Sequence, residues 1–366
     1  MLNKKYGNKL CEIMIKNNID AMMIGPSADL EFLMNYLPQP DERFQALFLL
    51  SDKKYFYISP KLTYEEIRDR LDNDANIYKW GDYEEFTDIV VTAMNDYKLA
   101  GKNIGVNNGI AAINLIDIQE KINAKFINGH GILEMLRVIK DESEIEKLRK
   151  AAKLADEVMG ETIDCICPGI TERDIKKKIE DLFMQKGADG LSFESIVASG
   201  PNSSMPHYCE DSRAIQKKDI VILDLGCKYK GYCSDTSRTV FVGGITDEEK
   251  KVYDIILRAN KAGEETAKQG AKAEDVDKAS RDVIKSEGYG QYFLNRTGHG
   301  IGISVHEAPY IKTGNKQILE RGMAFSVEPG IYMQNKFGMR IEDIVVIGDN
   351  GPEVLNNFTK EIIVIK

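Results

Sequence analysis

Four acidic residues in two short segments carry the strongest chemical signal in this chain. In KDIVILDLGCKYKGYCSDTSRTVFVG (218–243), the apolar run IVIL reads as a buried strand ending at Asp224. Lys228-Tyr229-Lys230-Gly231 suits a type I turn with glycine last, and a hairpin closed there sets Asp224 directly opposite Asp235. Their Cβ atoms would lie roughly 4.5–5.5 Å apart, where two like charges destabilise a sheet unless a cation lies between them. In MAFSVEPGIYMQNKFGMRIEDIVVI (323–347), two strands flank a loop around Gln334 to Gly338 and carry Glu328 and Glu342 on opposite arms. A second facing carboxylate pair is expected there. The two-residue strand period puts Arg340 on the face of Glu342, where a guanidinium could hold a carboxylate in place.

Between these hairpins lies RTGHGIGISVHEAP (296–309), in which Gly298, Gly300 and Gly302 crowd around His299 and His306 follows. Glycine lets the backbone approach another group closely. The spacing is not that of a dinucleotide fingerprint, and no strand-to-helix unit surrounds it. Asp224, Asp235, Glu328 and Glu342 together carry four negative charges, which two divalent cations balance, and a neutral His299 adds none. Such a donor set suits Mn²⁺, Co²⁺ or Zn²⁺. Singly, each acid would read as a solvated surface charge. Cys227 and Cys233 read as packing residues, and Tyr229, Tyr232 and Phe241 as core. The chain has four histidines, and no role is assigned to His130.

The elements that must position these groups follow from the pattern of the chain. Its 366 residues favour two domains. In the first third, AMMIG (21–25), ALFLL (46–50) and KYFYIS (54–59) read as strands, and 64–71 and 88–97 as helices. That alternation predicts an α/β domain. Near 132–140 the pattern changes to a long helix with Asp141 as N-cap, Glu144 as its capping partner and an apolar stripe from Ile145 through Leu148, Ala152 and Ala155 to Met159. The expected domains are 1–134 and 135–366. In the second, helices at 171–186, 247–266 and 272–287 frame strands at 192–198, 219–226, 324–333, 340–348 and 361–366, an α+β arrangement.

Composition narrows the function class. A net charge of −9 argues against a nucleic-acid surface. No apolar stretch is long enough to span a membrane, and the N-terminus lacks the apolar core of a secretory signal. Six cysteines without a CxxC pair read as reduced thiols, so a cytoplasmic protein is expected.

DLGCKYKGYCSDTSRT, GHGIGISVHEAP, SVEPGIY and MRIEDIVVI resemble the signatures of the pita-bread metallopeptidases, in the Xaa-Pro aminopeptidase and prolidase branch. VASGPNSSMPHY (197–208) is similar to that branch's substrate-side histidine segment. The first 130 or so residues look like its creatinase/prolidase-type N-terminal domain. The resemblance implies two divalent metal ions, Mn²⁺ first, held by Asp224, Asp235, His299, Glu328 and Glu342, with Asp235 and Glu342 shared between them. It implies cleavage before proline in short proline-containing peptides by a hydroxide bridging the metals. Glu328 would shuttle the proton, and His207 and His306 would bind substrate and stabilise the tetrahedral intermediate. Arg340 would support the substrate site from behind the ligands. A homodimer is also implied. Some prolidases carry an arginine soon after the HE-x-P motif to hold a dipeptide's carboxylate. Here Tyr310 stands at that point, with Lys312 or Lys316 as substitutes, so the resemblance implies either a Xaa-Pro dipeptidase or a Xaa-Pro aminopeptidase. A non-catalytic peptide-binding module and a creatinase-like, metal-free C–N hydrolase are the alternatives on this fold, and both are disfavoured by an intact ligand set.

Overall fold

The computed structural model describes residues 2–72 and 75–366, and the chain divides into two compact units, Met1–Arg137 and Val138–Lys366. The first unit runs α1 (Lys4–Lys16), β1 (Ala21–Ile24), α2 (Ala28–Met34), β2 (Ala46–Leu50), β3 (Tyr55–Pro60), α3 (Tyr64–Arg70), β4 (Asn76–Trp80), α4 (Phe86–Asp96), β5 (Asn103–Val106), α5 (Ala112–Lys121), β6 (Lys125–Asn128) and α6 (His130–Arg137). Its strands form one mixed sheet in the order β4-β3-β2-β1-β5-β6. The strand β2 is an unbroken apolar run, ALFLL, and every residue of it is buried, as a strand covered on both faces requires. Phe48, Phe56, Trp80, Val90 and Met94 share one core in this unit. His130 opens α6 here.

The second unit begins with α7 (Glu142–Asp164) and α8 (Glu172–Gln185), followed by β7 (Gly190–Leu191), β8 (Ile196–Ser199), β9 (Ile220–Leu225), β10 (Cys227–Tyr229), β11 (Tyr232–Cys233) and β12 (Thr236–Val242). Then come α9 (Asp247–Thr266), α10 (Ala273–Ser286), β13 (Gly298–Gly300), β14 (Glu307–Ile311), β15 (Ala324–Val327), β16 (Gly330–Met333), β17 (Phe337–Arg340), β18 (Asp343–Gly348), β19 (Gly351–Val354) and β20 (Val364–Ile365). Asp141 caps α7 in a full capping box with Glu144, and Ile145, Leu148, Ala152, Ala155 and Met159 are all buried along it. Two sheets carry the unit, β20-β12-β9-β8 and β14-β13-β15-β18-β19. Helices α7 and α8 pack on the first through Ile175, Ile179, Phe183, Val221 and Leu223. Helix α10 packs on the second through Ala273, Val276, Phe325 and Val345.

The first hairpin differs from the expected register. Its loop is the two-residue Lys230-Gly231, with φ of 48° and 79°, so Tyr229 faces Tyr232. Positive φ at both loop positions is the type I′ geometry that matches strand twist, rather than type I. Pairing shifts by two residues in consequence, and Asp224 faces Ser237 instead of Asp235. A shift of two preserves the face. Asp235 therefore remains on the side of Asp224 as its diagonal neighbour, just before β12.

The stretches 324–333 and 340–348, expected as continuous strands, are each interrupted. Val327 faces Asp343 in one ladder and Gly330 faces Arg340 in the next. One register thus runs through both ladders, with a gap at Glu328-Pro329 and Ile341-Glu342. Pro329 has no N–H to donate to a ladder. The gap leaves Glu328 and Glu342 opposite one another, where their side chains leave the pleat of either sheet. The strand expected at 192–198 begins later, at Ile196.

Candidate metal centre

Asp224 lies in β9, Asp235 between β11 and β12, His299 in β13, Glu328 after β15 and Glu342 just before β18. All five converge on one cavity of about 580 Å³, also lined by His207, His306, Arg340, Asn295, Arg296, Phe193 and Glu194. Asp235, His299 and Glu342 bring ligand-type atoms within 4.8 Å of one another. His299 Nε2 lies 3.7 Å from Asp235 Oδ2 and 3.3 Å from Glu328 Oε1.

The backbone around His299 explains its glycines. A Cβ on Gly298 would collide with the Ser326 carbonyl, and one on Gly300 with that of Ala308, so β13 lies closer to its neighbours than any side chain allows. The Ser326 hydroxyl accepts from the His299 backbone N–H at 3.1 Å and donates to Glu328 Oε1 at 3.3 Å. The His299 Nδ1 lies 3.2 Å from the Gly300 carbonyl. Assigning the ring proton to that bond leaves the Nε2 lone pair facing the carboxylates.

Arg340 is 3% exposed and holds the acids from behind. Its Nη2 donates to Asp224 Oδ2, its Nε to Ser237 Oγ at 2.7 Å and its Nη1 to Tyr332 Oη at 2.7 Å. The Ser237 hydroxyl in turn donates to Glu342 Oε2 at 2.8 Å. Arg340 and Glu342 are therefore connected through one serine, a residue whose type and spacing alone do not mark it out. Ser237 stands inside the SDTSRT segment, and correct hairpin pairing opposite Asp224 was the one signal able to find it. Asn295 and Arg296 were likewise passed over, although Arg296 opens the glycine–histidine segment.

His306 packs edge-on against His299, with ring centroids 4.2 Å apart. Beside it, Glu307 accepts a 2.6 Å ion pair from Lys140, with both side chains at most 2% exposed. His207 is exposed on the loop before Tyr208. Cys227, Cys233, Tyr232 and Phe241 are buried in the core, with the Cys233 thiol donating to the Ile303 carbonyl at 3.3 Å, whereas Tyr229 is only partly covered.

The electrostatics are those of an anionic pocket short of positive charge. Burial pushes the Asp235 carboxyl well above its usual range, reinforced by the charges of Glu342 and Asp224. Glu342 is raised in the same way by burial, then by Glu328 and Asp224. Burial takes Glu328 up to about 7, with Arg340 opposing and Asp224 assisting. Burial lowers His299 to about 3, so its imidazole is neutral. Burial also lowers His306, helped by Arg296 and His207. Asp224 Oδ1, Asp235 Oδ1 and Glu342 Oε1 are buried with no hydrogen-bond partner among the described residues. Buried oxygens are ordinarily satisfied. Three bare carboxylate oxygens beside an imidazole lone pair are what a cluster of divalent cations would ligate.

Comparison with known proteins identifies the family. Residues 146–349 match the model for metallopeptidase family M24, and residues 8–139 match the creatinase/prolidase N-terminal domain. The chain is 32% identical to a Xaa-Pro dipeptidase of Pyrococcus horikoshii, over 99% of each sequence. It is similar to the crystal structure of a recombinant prolidase from Thermococcus sibiricus, with a TM-score of 0.96 and 36% identity over 100% of both chains. An X-Pro aminopeptidase from Thermotoga maritima superposes with a TM-score of 0.86 at 30% identity, over 98% of this chain and 99% of that one. The second unit accordingly has the pita-bread fold and the first the α/β fold of a creatinase/prolidase N-terminal domain, and the chain belongs to metallopeptidase family M24.

Proposed function

We propose that this protein is a metal-dependent Xaa-Pro dipeptidase that hydrolyses the bond before proline in short peptides. One observation carries the reading: four carboxylates and a neutral imidazole meet in one cavity with three carboxylate oxygens unsatisfied. Asp224, Asp235, His299, Glu328 and Glu342 are the residues that would hold two divalent ions, with Mn²⁺ favoured over Co²⁺ or Zn²⁺. When bound, such ions lower the pKa of a shared water and polarise the scissile carbonyl.

The chain's own groups supply the rest. Glu328 lines the cavity with the other acids, and it takes the proton of the attacking water and delivers it to the departing proline nitrogen. Neutral His306 presents an N–H to the substrate carbonyl as charge develops there, with His207 also lining the cavity. Arg340 keeps Asp224 in place through the bond described above and holds Glu342 through Ser237.

The protein is expected to act in the cytoplasm, as a homodimer and without a nucleic-acid partner. Its six cysteines include no CxxC pair, which suits reduced thiols in a reducing compartment. No helix among the described residues is long and apolar enough to cross a membrane.

Exhaustive chelation followed by Mn²⁺ addition tests the function. Alanyl-proline should be hydrolysed only after metal is restored, and alanyl-leucine should be a much poorer substrate. Full activity in rigorously metal-free protein, or equal rates on the two dipeptides, would overturn the reading.

A further inference from the structure

A dipeptide brings its own carboxylate into a cavity already lined by Asp224, Asp235, Glu328, Glu342 and Glu194. Productive binding requires a cation there with donors to spare. Lys312 and Lys316, the substitutes suggested by the sequence, are exposed, and neither is among the described residues lining the cavity. The cavity lining contains two guanidinium groups, Arg340 and Arg296. Arg340 is 3% exposed and already commits four of its five N–H groups, to Ser237, Tyr332, Pro206 and Asp224.

Arg296 is different. It is half-buried, and among the described residues it makes no hydrogen bond and no ion pair. Its guanidinium carbon lies 5.0 Å from the centroid of the Tyr310 ring. An aromatic face steadies a guanidinium without using its N–H edge, which leaves the planar fork able to take a carboxylate with two parallel bonds. The backbone beneath it is fixed as well. The next residue, Thr297, bonds Asp277 Oδ1 through both its N–H, at 3.2 Å, and its hydroxyl, at 2.8 Å.

We propose that Arg296, seated on the Tyr310 ring, binds the free C-terminal carboxylate of the substrate and so gives the site its preference for dipeptides. The proposal rests on the peptidase reading above. A longer peptide places an uncharged amide at the same point and gains nothing from the guanidinium.

The test is a double-mutant cycle between Arg296 and the substrate carboxylate, which cancels any contact the carboxylate makes elsewhere. Full-length, Mn²⁺-loaded wild type, Arg296→Met, Arg296→Lys and Tyr310→Leu are assayed on alanyl-proline and on its C-terminal amide. Calorimetric binding of proline and of prolinamide is measured alongside. Arg296→Met should raise KM for the acid roughly 10- to 100-fold, the size expected for one charged hydrogen-bonded contact, while kcat and all constants for the amide stay within about threefold. Arg296→Lys should fall between, and Tyr310→Leu should show a smaller loss confined to the acid. Equal losses on acid and amide, or no loss on the acid, would overturn the proposal. Should Arg296→Met fail to fold, the acid-to-amide ratio of Arg296→Lys decides. Should wild type hydrolyse neither peptide, the peptidase reading fails, and the proline-against-prolinamide contrast still decides on Arg296.

Discussion

Ser237 links the two ends of the candidate ligand set, accepting from Arg340 and donating to Glu342. Ser237→Ala should leave both partners buried and short of a bond. Mn²⁺ affinity, followed by calorimetric titration, is expected to fall about 10- to 100-fold, as for other groups that orient metal ligands. Asp235→Asn should act in opposite directions with and without metal. In chelated protein it removes one of several crowded charges and should leave the melting temperature unchanged or higher. In Mn²⁺-loaded protein it removes a ligand and should lower it; clear destabilisation of the chelated form would show that the acids do not repel as argued. The pH dependence has a definite sign. Glu328 titrates near about 7 when folded, against an ordinary value of 4.5, so the folded state holds its proton longer than the unfolded state. Asp235 and Glu342 are raised in the same direction. Metal-free protein should therefore lose stability as pH rises from about 4.5 to about 7. Glu264, raised by burial to about 7 despite Lys360, adds to the same slope. Melts between pH 5 and 8 should show the decline in wild type and a shallower one in Glu328→Gln.

At the scale of elements, the hairpins show what the sequence made legible and where it stopped. The buried run IVIL was enough to put Asp224 and Asp235 on one face of the first hairpin, and the two-arm pattern of the second to set Glu328 opposite Glu342. Register was not legible, because it depends on the turn, and Lys230 at φ 48° is a conformation that its side chain does not advertise. The broken strands were hidden for a similar reason. Pro329 marked a possible interruption, but only pairing with the other arm shows that the gap falls at Glu342 as well. Ser237 and Arg296 escaped notice because their roles depend on partners distant in the chain, Arg340 for one and Tyr310 for the other. Lys230→Asn puts a residue that tolerates left-handed backbone before Gly231. It should stabilise the fold by about 0.5–1 kcal/mol in urea denaturation without altering turnover.

For the whole molecule, each unit has its own core, and every candidate ligand belongs to the second. Metal should therefore stabilise the molecule unevenly, since binding favours only the structure that carries the site. Hydrogen exchange with and without Mn²⁺ should show added protection across 220–242 and 297–348 and little across 21–106. Uniform protection would contradict a site confined to the second unit. The Lys140–Glu307 pair has a practical corollary for dissecting the chain. Lys140 precedes α7, only three residues after Arg137, yet its ammonium pairs with the acid adjacent to His306. A fragment started at the helix itself would look complete by secondary structure while lacking the buried ammonium that pairs with the acid beside His306. A fragment meant to keep that ion pair thus begins ahead of the first helix of the second unit, at or before Lys140.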